Sequence, residues 1–220
     1  MSNLSFVERL AEILRHVPAL FGIGRDSAPI ESVAGLQAFV ASRSAFMAQK
    51  TLYGYVKTRM GTRHVAMFDD PAMIASLNIA RHNIFAACLS DLTIYAVGVS
   101  LHDEPAGNDV RIALARRIYD ASIAGMNGAP AEFNAAEAAA AFAERAAATE
   151  WRAAARQPEI FAASPAALYR WAPIADQLKR LDREIVENSV IFAWRDIREQ
   201  FNKRLVPAAI VADWSAQRAN

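Results

Sequence analysis

The sequence predicts an all-α fold: a single-domain helical bundle built round one long, buried central helix. Three observations predict it. The stretch from Asp70 to Leu101 is apolar on nearly every side at helical spacing, as befits a helix in the middle of a protein. Alanine, the best intrinsic helix former, is abundant. No stretch alternates apolar with polar residues as a half-buried strand does.

Taken in order, Ser5 to Val17 reads as a short amphipathic helix with Phe6, Leu10, Ile13, Leu14 and Val17 on one face, ended by Pro18, Gly22 and Gly24. Residues 1–25 form an N-terminal helix and turn, and 31–220 the bundle. Residues 5–21 are also the one candidate for contact with a membrane surface, a role that Glu8 and Glu12 oppose at anionic lipid. From Glu31 to Met60, Phe39, Phe46, Tyr53 and Met60 recur every seven residues, and Val33, Leu36, Val40, Met47 and Val56 widen the stripe. Arg43, Lys50 and Lys57 share that spacing and are expected as a solvated basic line, with Gly61 as the C-cap.

Asp70 is a good N-cap for the central helix, and Pro71 suits its first turn. A further helix is expected from Asp109 to Ala124, closed by the turn Gly125 to Pro130. Asn134 and Glu137 have capping-box spacing and open an alanine-rich helix to Gln157. With only Phe142 and Trp151 for bulk, it is expected to be peripheral or mobile. Pro173 to Leu205 reads as a second long helix, with Ile174, Leu178, Leu181, Ile185 and Phe192 as its inner stripe, continued by Trp194, Ile197, Phe201 and Leu205. Pro207 closes it, and a short tail carries Trp214.

Composition narrows the function. The 24 basic and 23 acidic residues leave a net charge of +1, which supplies no general field for nucleic acid. One cysteine, Cys88, excludes an intramolecular disulfide and a multi-cysteine zinc site, and is expected as a small core residue. The N-terminal residues lack the basic-then-apolar pattern of an export signal, and Arg81, His82 and Asp91 make the apolar stretch a poor bilayer span, so a cytoplasmic protein is expected. No metal or cofactor is expected: the four histidines form no Glu-x-x-His or His-x-x-x-His pair, and there is no dinucleotide or phosphate loop.

Two constellations carry chemistry. Gly98-Val99-Ser100-Leu101-His102 approaches the Gly-x-Ser-x-Gly nucleophile elbow but has histidine in place of the last glycine. It makes Ser100, with His102 and Asp91, the weak catalytic candidates. The second is the polar content of the long helices: Asn78, Arg81 and His82 on the central one and Asn188 between Ile185 and Phe192. Either these groups satisfy one another, Arg81 pairing with Asp91, Glu184 or Glu187, or they line a pocket in which Arg81 grips an anionic ligand.

The run Tyr53-Gly54-Tyr55-Val56-Lys57-Thr58-Arg59-Met60-Gly61-Thr62-Arg63, continued by Asn78-Ile79-Ala80-Arg81 and Asp91-Leu92-Thr93, resembles a family of uncharacterised all-helical bacterial proteins. Some members bear the label esterase, which implies a small-molecule hydrolase. The residues themselves favour a protein acting through protein contacts or self-association, because two long helices carry wide apolar faces that subunits can share.

Overall fold

A computed structural model describes residues 27–60, 69–105, 107–154, 156, 158–180 and 182–219. The expected N-terminal helix with its membrane-surface contact, and the Gly61 cap, lie outside these residues. Nine α-helices follow in order among them: α1 Val33–Met60, α2 Pro71–Ser100, α3 Asn108–Ala124, α4 Ala135–Ala148, α5 Trp151–Ala154, α6 Ala163–Trp171, α7 Asp176–Lys179, α8 Arg183–Arg204 and α9 Pro207–Ala219. A 3-10 turn, Pro158–Ala162, precedes α6. No strand forms among the described residues; one parallel bridge pairs Ile30 with Leu205. The all-α expectation holds.

The central helix is α2. Asp70 accepts a hydrogen bond from the Ala72 amide at 2.9 Å and Pro71 occupies the first turn, as its sequence dictates. From Ile84 to Gly98 nearly every side chain is buried, whereas Pro71 to Ser76 are at most half-buried. The helix is long and apolar enough to cross a membrane, but 83% of its most apolar window is buried inside the protein. α1 packs along it more extensively than any other element, and α6 is next.

Three expectations change. The alanine-rich helix stops at Ala148, where the Thr149 hydroxyl takes the Arg145 carbonyl at 2.8 Å. The chain then turns Trp151 into the core, its indole N–H donating to the Ala146 carbonyl at 3.1 Å. The helix lies at the periphery, with only Phe142 and Ala146 buried, and Phe142 anchors it by stacking on the buried Tyr119 ring, centres 4.0 Å apart. The second long helix is broken between Lys179 and Arg183, where α1 holds Asp182 by an ion pair from Arg59 and a 3.0 Å bond from the Tyr55 hydroxyl. Its inner face is Val186, Val190, Trp194, Ile197 and Phe201, so Ile185 and Phe192 of the expected stripe point outward, 71% and 69% exposed, while Ile174 packs partly buried against the core. Finally, the expected tail is a helix, with Trp214 buried.

Asp91, fully enclosed on α2, joins the two sides of the bundle. Its carboxylate accepts from Arg145 on α4 at 2.7 Å and from the amides of Ala163 and Ser164 at 3.2 and 2.8 Å. It therefore caps α6, which has no local side-chain cap. Arg145 also donates to Ser90 Oγ and the Ile160 carbonyl, and the Trp194 indole donates to Ser164 Oγ at 2.9 Å. Burial pushes the Asp91 carboxyl above the ordinary aspartate range, against the pull of Arg145. Asp213 on α9 plays a similar part at the start of α1, accepting from the Val33 amide at 2.7 Å, while Ser32 Oγ accepts from Gly35.

Arg145→Ala leaves the Asp91 charge enclosed without its counter-charge. The expected cost is about 3–5 kcal/mol in urea unfolding; a loss within the range of a surface substitution contradicts this role. The Asp213 carboxyl is held below the ordinary aspartate range, chiefly by the Val33 amide. A depressed native value stabilises above the unfolded-state value and the contribution fades as pH falls through the native one. Asp213→Asn should therefore unfold at lower urea than the parent at neutral pH, with the gap closing in acid; a pH-independent gap contradicts it.

Candidate functional site

A cavity of about 740 Å³ opens between α1, α2 and the end of α3. Residues Ala28 to Ile30 and Arg204 close one end, placed there by the Ile30 bridge: the Ile30 amide donates to the Arg204 carbonyl at 2.8 Å. Along α1 the wall includes a row of small side chains, Ala38, Ala41, Ala45 and Ala48, whose 3-4-3 spacing puts them on one helical face, beside Phe39, Arg43 and Gln49. Across from them stand Phe85 and Met126. The space exists because alanines stand where bulkier side chains would fill it.

The charged groups in this wall are all cationic. Arg43, Arg81 and Arg204 line it, and among the described residues no aspartate or glutamate does. Arg81 donates to Asn78 Oδ1 at 2.9 Å and has no acidic partner among the described residues. Arg43 and Arg204 both lie over the Phe39 ring, at 5.4 and 5.3 Å, a favourable cation–π arrangement. Arg204 also donates to the Ala28 carbonyl at 2.7 Å. His82, buried beside Arg81, meets the Asn78 carbonyl through Nδ1 at 2.8 Å; a carbonyl only accepts, so Nδ1 carries the hydrogen. Asn78 thus orients both neighbours, its side chain holding Arg81 and its carbonyl His82. Guanidinium groups between apolar walls give a concentrated positive field, and their planar fork matches carboxylate and phosphate oxygens.

Of the residues singled out from sequence, Asn78, Arg81 and His82 come together here. Asn188 does not. It sits on the exposed side of α8, because the helix turns Val186 and Val190 inward and carries Asn188 outward with Ile185. Arg81 pairs with neither Asp91, whose partner is Arg145, nor Glu187, which bonds Arg183. Arg43 is buried, so the expected basic line of α1 is not a continuous solvated face. Its seven-residue spacing from Lys50 concealed this, whereas the alanines beside it marked a thin helix face. Arg204 carried no local signal; a contact made across the fold brings it in.

The catalytic candidates remain separate. Ser100 is 2% exposed, and its hydroxyl has no hydrogen-bond partner. Asp91 lies nine residues away, about 13 Å along the helix axis. Its carboxylate is committed to Arg145 and to α6. His102 Nδ1 is without a partner, and Nε2 meets Arg156 at 3.3 Å. Cys88 is buried, and burial pushes its thiol well up, which suppresses the thiolate. Among the described residues no group of three or more His, Cys, Asp or Glu side chains is placed to hold a metal ion.

A second groove, about 460 Å³, runs between α1 and α8 past Gly54, Tyr55, Asp182 and Ile185. Its polar groups already satisfy one another through the Arg59–Asp182–Tyr55 cluster, in which burial and Asp182 push the Tyr55 hydroxyl up to about 12. The arginine-lined cavity is the better candidate. No family model, no curated protein and no solved structure matches the chain.

Proposed function

We propose that this protein binds a small organic anion in the cavity between α1, α2 and α3. One observation carries the reading: among the described residues, Arg81 has no acidic partner and opens on a large, mainly apolar cavity that no carboxylate lines. A buried or half-buried guanidinium ordinarily sits opposite a counter-charge. Here a ligand supplies it, with Asn78 holding the fork in place. The hydrolase that the family resemblance implies draws less support, since Ser100 is enclosed and unconnected to His102 or Asp91. The cytoplasm is the setting that accords with a long apolar helix whose surface is spent inside the protein.

Thermal unfolding in the presence of a panel of carboxylates and phosphates tests this. Ligand that binds the native state alone raises the midpoint with concentration. Arg81→Lys keeps the charge but removes the fork, and should weaken the response at least tenfold. Retention of the full response by Arg81→Lys contradicts the assignment.

A second reading is self-association. Ile185, Phe192, Leu178 and Ile191 are 71, 69, 45 and 44% exposed, an apolar face on α7 and α8 that a second copy can cover. Sedimentation at micromolar concentration should then show a dimer or larger species that Phe192→Glu dissociates. A strictly monomeric parent contradicts it.

A further inference from the structure

Resting on the anion-binding reading, we propose a narrower ligand class: a linear carboxylate amphiphile, its head on Arg81 and its chain of about a dozen carbons lying along α1. The cavity follows α1, which lines it from Gly35 to Gln49 as one wall of a trough. Its α1 wall runs from Ala38 to Ala48, about 15 Å at the helical rise per residue, which suits an extended chain of that length. Four alanines at 3-4-3 spacing keep a strip of this wall low and apolar beside Ser42, Arg43 and Gln49, and Phe85 and Met126 add apolar lining from other elements. A short polar anion would leave that surface wet; a hydrocarbon chain buries it.

The charges fix the direction. α1 and α2 pack along each other, and only residues 61–70 join them, too few to return along the roughly 42 Å of α1. The two helices therefore run antiparallel, and Arg81, early in α2, stands beside the later half of α1, toward the Ala48 end of the trough. At the Ala38 end, Arg43 and Arg204 are stacked against Phe39, and Arg204 is bonded to the Ala28 carbonyl. Arginines held in this way present their methylene stems as apolar surface. The head therefore sits on Arg81, and the chain runs back along the alanines toward Phe39.

Isothermal titration of the full chain at low salt tests the class, with four probes below their micelle concentrations: dodecanoate, acetate, inorganic phosphate and dodecyltrimethylammonium. Dodecanoate is expected to bind at least a hundredfold more tightly than each of the others. Arg81→Gln should weaken it at least tenfold. Ala45→Trp, which fills the trough, should abolish dodecanoate binding, and Ala41→Leu should weaken it should Ala45→Trp fail to fold. Acetate or phosphate binding as tightly as dodecanoate, with loss in Arg81→Gln, overturns the amphiphile and leaves the anion site standing. Binding of the cationic amphiphile as tight as that of dodecanoate overturns the role of Arg81. Absence of binding by all three anions overturns both readings.

Discussion

One enclosed carboxylate organises this protein. Asp91 sits on the most deeply buried helix, where an ionised group is tolerated only with several partners. It has them: a guanidinium from α4 and two amides at the start of α6. Arg145 extends the cluster to Ser90 and to the carbonyl of Ile160, and Ser164 extends it to Trp194 on α8. Four helices are therefore oriented by a single polar cluster inside an apolar bundle. Apolar burial drives these helices together but is indifferent to small rotations, whereas hydrogen bonds with this geometry are not.

With that flank of α2 committed, its other polar residues face a different space. Arg81 and His82 lie about two and a half to three turns before Asp91, outside the polar cluster and in the wall of the cavity. The contrast between the two arginines is informative. Arg145 meets a carboxylate, two further oxygens and a packed surrounding; Arg81 meets one amide oxygen and an opening. A chain of nearly balanced overall charge has placed three arginines and, among the described residues, no acidic one round this cavity. Local distribution, not net charge, makes the site.

Much of the fold was legible because it is encoded locally. Asp70 and Pro71 announce the start of α2, and Asn134 caps α4 by accepting from the Glu137 amide at 3.0 Å. The continuous apolar run of α2 gave its burial. Other features were concealed because their determinants are distant in sequence. α6 went unread between Gln157 and Pro173 since its cap is supplied by Asp91, 72 and 73 residues away; α1 receives its first capping bond from Asp213, 180 residues away. The inner face of α8 was misphased because Ile185 and Phe192 form as good an apolar stripe as Val186 and Val190, and only packing chooses between them. Of the site, Asn78, Arg81 and His82 were readable as polar interruptions of an apolar helix. Arg204 became part of it only through the Ile30 bridge, and Asn188 left it when α8 turned the other way.

Amide hydrogen exchange on the full chain is the most direct measurement of a bundle assembled round α2 and fastened at Asp91. Exchange for residues 84–98, and for the Ala163 and Ser164 amides, is expected only through global unfolding, while Ala72 to Ser76 exchange quickly from the native state. Rapid native-state exchange across 84–98, or at Ala163 and Ser164 while the rest of α6 stays protected, would contradict it.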